Sequence, residues 1–257
     1  MQRQIVILAA GKGSRMKSNL PKVMHKIGDK TMLQMVVDNA YAVTKDIVLV
    51  YSDHIAKYLS FFENKCKFAL QDEQLGTAHA VWVASALINN NIQNAVIYGD
   101  NPLITPEIIT ELFNYLETSR SAIVTLAFEH EEPNAYGRII LDEEGNFKKI
   151  VEFKVATEPE KKIKLCNSGI MAFAPGILQK YLPDCINRSR NVHNSELYLT
   201  EIIEICSSAG EKVSYYTSKN HHLVIGINTQ EELQAANEII KNNKFSQEST
   251  INNPNCG

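Results

Sequence analysis

Several large classes are argued against by what this chain lacks. No apolar run among its 257 residues approaches the roughly 18 that a membrane helix needs, and the N-terminal apolar run is too short for a secretory signal. The expectation is a cytoplasmic protein that meets no membrane. Cysteine is sparse and unpaired: Cys66, Cys166, Cys185, Cys206 and Cys256 are widely spaced, odd in number and without a C-x-x-C pair. That pattern fits reduced thiols, not a disulfide framework or a zinc site. A basic excess is missing too. A net charge of −3 argues against a mainly electrostatic nucleic-acid binder, while leaving room for a locally basic pocket for a phosphorylated small molecule. Internal repeats and low-complexity segments are absent, and 44% hydrophobic residues suffice for one large domain with a sizeable core. His79, His221 and His222 lack carboxylate or cysteine partners at ligand spacing and are expected to be structural or solvent-exposed.

What is present is organised around residues 5–22, reading IVILAAGKGSRMKSNLPK. Ile5 to Leu8 are apolar on both faces, as in a central parallel strand whose carboxyl end opens at a binding edge. Gly11 and Gly13 let the following turn aim its N–H groups at an anion, and Arg15 and Lys22 add positive charge. The third glycine of the dinucleotide fingerprint is missing, and so is the Gly-Lys-Ser/Thr of a Walker loop. Taken alone, the stretch also fits an ordinary strand-to-helix turn.

Apolar periodicity then predicts a helix over 31–43, a strand over 46–51, a helix over 54–62, a strand over 67–70 and a helix over 77–88 with Thr77 as its cap. A strand over 94–98 and a helix over 106–117 follow, and this alternation implies a parallel sheet with right-handed crossovers. From residue 122 to 173 strands dominate, with a hairpin signal at Glu143-Glu144-Gly145-Asn146, so an antiparallel insertion is expected there. Helices over 177–182 and 198–208, strands over 213–216 and 223–227, and a closing helix over 231–241 complete the chain. The fold class is α/β: a Rossmann-like, mostly parallel sheet flanked by helices, with a small antiparallel β insertion. Residues 1–229 are expected to form the main domain, and 230–257 a helix followed by a disordered tail or a cut linker.

Polar groups collect where buried strands end, which in an open α/β sheet is the ligand edge. Gln71 carries the paired donor and acceptor that can read a base edge, and Gly76 lets a planar ring lie on the backbone. Asp100 suits a hard cation, with Asn228 at the end of the last predicted strand as a neutral second oxygen. Gly137, Glu152, Asn167 and Ser168 lie in or beside the insertion and suit sugar hydroxyls; Glu152 equally fits a surface strand.

Read together, LAAGKGSRMKSNLPKV (8–23), QLGTAHAV (74–81), YGDNPLI (98–104), YGRI (136–139), IVEFK (150–154) and CNSGI (166–170) resemble, in order, the motifs of the sugar-nucleotidyltransferases. The set is most similar to the uridylyltransferase domain of the bacterial bifunctional enzymes that make UDP-N-acetylglucosamine. The resemblance implies a GT-A-like fold and transfer of a uridylyl group from UTP to N-acetylglucosamine 1-phosphate with Mg²⁺. It puts Leu8, Ala10, Gly11, Gly13, Gln71, Gly76 and Thr77 on the nucleotide, and Arg15 and Lys22 on its phosphates as catalytic residues. Asp100 and Asn228 would hold the metal; Tyr98, Gly137, Glu152, Asn167 and Asn228 the sugar phosphate. Departures from the motifs include Asn101 and Val155, the latter where an aspartate commonly follows the lysine. The hexapeptide repeats of the bifunctional family are not visible, so the acetyltransferase activity and its trimer contacts are expected to be missing. Sister enzymes using glucose 1-phosphate or dTTP, and a non-catalytic nucleotide-sugar sensor, remain as alternatives.

Overall fold

The computed structural model describes residues 1–131, 136–190 and 196–251. Its centre is β1 (Arg3–Leu8), whose alternating side chains feed two separate cores: Ile5 and Ile7 one, Val6 and Leu8 the other. After it come β2 (Lys26–Ile27) and β3 (Lys30–Thr31), which pair only with each other, then β4 (Ile47–Tyr51), β5 (Lys67–Leu70), β6 (Gln93–Tyr98) and β7 (Ile123–Glu129). The remaining strands are β8 (Gly137–Leu141), β9 (Phe147–Val151), β10 (Leu165–Phe173) and β11 (Val213–Thr217). The main sheet runs β11-β7-β10-β6-β1-β4-β5, and β10 alone is antiparallel to its neighbours.

The helices are α1 (Met32–Val43), α2 (Asp53–Ala56), α3 (Thr77–Val83), α4 (Pro106–Ser119), α5 (Glu158–Lys161), α6 (Ile177–Arg190), α7 (Glu201–Ser208) and α8 (Gln230–Ile251). Thr31 and Gln34 close a capping box at the start of α1, and Thr105 caps α4 with proline in its first turn. The apolar faces of α1 and α4 cover one side of the sheet, those of α3, α6 and α7 the other. Each fully buried aliphatic side chain of these layers contributes about 1.5–3 kcal/mol.

The expected mostly parallel sheet with a small antiparallel insertion is present, but the insertion is smaller than residues 122–173. β7 belongs to the main sheet, parallel to β11, and only the β8–β9 hairpin branches off, along Cys166 and Asn167 of β10. The hairpin turns at Gly145, where φ is +81°. Its root is fixed by Arg138, which is fully buried: the guanidinium donates to the carbonyls of Tyr136 and Lys161 and lies 5.2 Å over the Phe153 ring. β10 breaks register between Asn167 and Met171, around Gly169 at φ +87°. There its second partner changes from β8 to β6, while β7 remains its neighbour on the other side.

Other differences are local. The helix expected over 54–62 is short α2 followed by a 3-10 turn at Leu59–Phe61, and the helix expected over 77–88 stops at Val83 with a 3-10 turn at Ser85–Leu87. Thr77 is not a cap. Gly76 precedes the helix, and the Thr77 hydroxyl accepts the Leu199 N–H instead, at 2.9 Å. The strand expected over 223–227 is a 3-10 turn at His221–Leu223 followed by irregular chain, held by single bonds to the loop after β6 and not by a ladder. The closing helix expected to end at Lys241 continues to Ile251, with no proline or glycine to stop it. Of the five cysteines, Cys256 lies outside the described residues; the other four are in no disulfide among the described residues. Among the described residues no helix is long and apolar enough to cross a membrane.

Candidate active site

The loops after β1, β5 and β6 gather at the carboxyl ends of their strands, as an open parallel sheet requires. They enclose a cavity of about 320 Å³ lined by Leu8, Ala10, Gly11, Gln71, Gly76 and Thr77, with Lys12, Lys22, Tyr98 and Asp100 at its polar end. Gly76 has φ +128°, and a Cβ there would stand 2.5 Å from the backbone N and O of Leu197. Glycine is therefore required for the 75–78 backbone to pair with Leu197, through Leu197 N–H to Leu75 O and Ala78 N–H to Leu197 O, each 2.8 Å. Gln71 is 3% exposed, and its amide nitrogen donates to Gly76 O at 3.1 Å.

The polar end is a knot of opposite charges. Lys22 forms an ion pair with Asp100, and its ammonium also donates to the Asn228 side-chain oxygen at 3.1 Å. The Arg15 guanidinium reaches that same oxygen at 2.8 Å. Each partner is positioned by its own local structure. Gly13 lies at φ +61°, where an added Cβ would come within 2.5 Å of the Lys22 Cβ, so glycine lets the two segments touch. Asp100 and Asn228 are brought together because Ile227 N–H donates to Asp100 O at 2.8 Å and the buried Asn101 amide donates to Val224 O at 2.9 Å. Asn101, a departure from the motif, thus has a structural task. Thr229 and Glu232 then exchange the bonds of a capping box, and Glu232 also accepts the Asn228 N–H at 2.5 Å. α8 packs Leu233 and Ala236 onto Met16 and Ile227, the chain neighbours of Arg15 and Asn228.

A second cavity, of about 220 Å³, adjoins the first and shares Thr77, Tyr98 and Asp100 with it. Gly137, Glu152, Asn167, Ser168, Gly169 and Asn228 line it. Asn167 is 5% exposed, and its oxygen accepts from the Thr125 hydroxyl at 2.6 Å and the Gly169 N–H at 3.0 Å, which leaves its amide nitrogen as the donor for the cavity. Glu152 accepts from the Thr200 hydroxyl at 3.0 Å. Burial pushes its carboxyl above the usual carboxylate range, against the lowering effect of that bond. Tyr98 stands between the cavities with its ring against Gly169. Burial, and then the charges of Asp100 and Glu152, raise its phenol, and burial pushes Tyr136 up to about 12. Both hydroxyls stay protonated at neutral pH and can donate.

Every expected contact residue lines one of these cavities except Gly13, which abuts Lys22, and Arg15, which bonds Asn228. Asn228 does so from a loop, not from the end of a strand. Val155 is 76% exposed and lines neither cavity. Sequence reasoning missed Glu196, Tyr198 and Thr200, which line the cavities from the segment before α7. It assigned Tyr198 and Thr200 to the helix itself, but the helix starts at Glu201. Their only local signal is that the three alternate with Leu197 and Leu199, both buried.

Among the described residues no cluster of His, Cys, Asp or Glu forms a metal site by itself. Asp100 and Asn228 are instead a carboxylate and an amide oxygen that already share one cation, the Lys22 ammonium. A hard cation that takes few protein oxygens and completes its shell with phosphate and water fits that arrangement.

Comparison with known proteins agrees with this architecture. Residues 5–238 match the MobA-like NTP transferase domain. The chain is 38% identical over 242 residues to the bifunctional protein GlmU of Alkaliphilus metalliredigens, spanning 94% of this chain and 52% of that protein. It is 36% identical over 240 residues to the bifunctional protein GlmU of Desulfotalea psychrophila, spanning 92% of this chain and 70% of that one. The chain thus spans about half the length of the first of these relatives. In fold it resembles a UDP-glucose pyrophosphorylase crystallised with UDP-glucose, at a TM-score of 0.74 and 20% identity, over 95% of this chain and all of that one. On the match over residues 5–238, the chain belongs to the family of MobA-like NTP transferase domains.

Proposed function

We propose that the chain transfers a uridylyl group from UTP to N-acetylglucosamine 1-phosphate, giving UDP-N-acetylglucosamine and pyrophosphate. The observation that carries this reading is the pair of cavities meeting at the knot of Lys22, Asp100, Asn228 and Arg15. One cavity suits a flat base against backbone and Gln71. The other presents a carboxylate and an amide donor to a sugar. The relatives' shared name and the order of the motifs support the choice of sugar and nucleotide.

In this reading the sugar-phosphate oxygen attacks the α-phosphorus of UTP in line and pyrophosphate leaves. The attacking phosphate has a second pKa near ~6 and is largely ionised at neutral pH, so the chain needs no general base. Its work is to align two anions and to offset their repulsion. Lys22 and Arg15 turn from Asn228 toward the phosphates, Gly11 and its neighbours offer backbone N–H groups, and Glu152 with Asn167 holds the sugar. A bound Mg²⁺, held by Asp100 and Asn228, would supply further neutralisation of phosphate charge.

Pyrophosphate release measured across UTP, dTTP, N-acetylglucosamine 1-phosphate and glucose 1-phosphate tests the reading. The expected result is fastest release with UTP and N-acetylglucosamine 1-phosphate in the presence of Mg²⁺. Faster release with another pair, or nucleotide binding without release from any pair, would overturn it.

A further inference from the structure

Beside the first cavity, against the side chain of its lining residue Gln71, stands a histidine to which the reading above gives no role. His79 lies in the first turn of α3, and its Nδ1 is 3.2 Å from the amide nitrogen of Gln71, which also lies 3.1 Å from Gly76 O. We propose that His79 is a positioning residue that sets which pyrimidine the cavity accepts, by locking the Gln71 amide with its oxygen toward the base. The proposal rests on the first cavity being the nucleotide site.

The orientation follows from donor and acceptor counting. A backbone carbonyl only accepts, so the Gln71 side facing Gly76 O must be the NH₂. That group has one further hydrogen, and His79 Nδ1 is placed to take it, which requires the lone pair on Nδ1 and the ring proton on Nε2. Both amide hydrogens are then used. Gln71 is 3% exposed, and no described residue donates to its oxygen, which is left as the group it offers to the cavity. An acceptor there matches a base that presents an N–H at its Watson–Crick edge, as uracil and thymine do at N3. Cytosine presents a lone pair at N3 and is opposed. A site with a fixed, buried hydrogen-bonding group rejects the mismatched base more strongly than one whose group can rotate. Gly76 O alone holds one hydrogen and leaves the amide freer to turn; His79 supplies the second anchor.

The test is the ratio of UTP to CTP affinity, measured by calorimetry on the parent, His79→Leu, His79→Asn and Gln71→Ala. His79→Leu keeps the helix but removes the acceptor, and the ratio is expected to fall about three- to ten-fold, the effect of one hydrogen bond. The asparagine side-chain oxygen sits where imidazole Nδ1 does, so His79→Asn restores the ratio. A merely structural role for His79 would weaken both nucleotides together and leave the ratio unmoved. An unchanged ratio in His79→Leu, or the same fall in His79→Asn, would overturn the proposal; if His79→Leu does not fold, His79→Ala takes its place. Gln71→Ala separates the levels: a collapsed ratio there beside an unchanged one in His79→Leu overturns only the role of His79. An unchanged ratio in Gln71→Ala overturns the base-reading site itself.

Discussion

Replacing Gly76 by alanine strikes at the way the cavity proposed for the nucleotide is built. The glycine sits at φ +128°, ψ −178°, a region that costs another residue about 1–3 kcal/mol. The new Cβ would also lie 2.5 Å from the backbone of Leu197. That backbone must move, opening the bonds from Leu197 N–H to Leu75 O and from Ala78 N–H to Leu197 O. At about 0.5–1.5 kcal/mol each, the two bonds bring the destabilisation to about 2–6 kcal/mol. With roughly 2–4 °C per kcal/mol for a chain of this size, the melting temperature should fall by about 4–24 °C. UTP affinity, read by calorimetry, should fall with it, because Gly76 O orients Gln71 and the 197–200 segment is tied to Thr77. A variant melting within about 2 °C of the parent, less than 1 kcal/mol, would refute the reasoning.

Gly11→Ala makes the contrast: nothing lies within 4 Å of its added Cβ and the residue lines the cavity, so melting should hold while UTP affinity drops. Lys22→Ala and Arg15→Ala should each lower turnover by roughly 10²–10³-fold with the fold intact, as for other fixed charges on a developing anion; near-normal turnover in both contradicts their role. Glu152→Gln should raise melting at neutral pH. Burial raises the Glu152 carboxyl, so the folded chain holds that proton more tightly than the unfolded one; the stability this gives is present in acid and lost as pH rises through the raised value. The variant's advantage should therefore vanish in acid while its affinity for sugar phosphate falls at neutral pH, and a pH-independent difference would count against this.

The parts legible in sequence were those fixed by local pattern. An apolar run on both faces marked β1 because both of its faces are buried, and polar residues after β5 and β6 marked the edge where the two cavities lie because parallel strands put their carboxyl ends together. The misread parts depend on distant partners. Thr77 looked like a cap, but its hydroxyl is taken by Leu199, 122 residues away. Val224 and Ile227 have the apolar character of a strand and are buried, yet they are anchored by Asn101 and Asp100 without a neighbouring strand. His79 showed no ligand spacing because its partner is the amide of Gln71, neither a metal nor a carboxylate.

The central claim concerns which phosphorus is attacked, and isotope position answers it most directly. With UTP labelled at the α-phosphorus in one reaction and at the γ-phosphorus in another, each with N-acetylglucosamine 1-phosphate and Mg²⁺, the account predicts α-label in the nucleotide sugar and γ-label in pyrophosphate. Transfer of γ-label to the sugar phosphate, or both labels remaining in UTP, would contradict it.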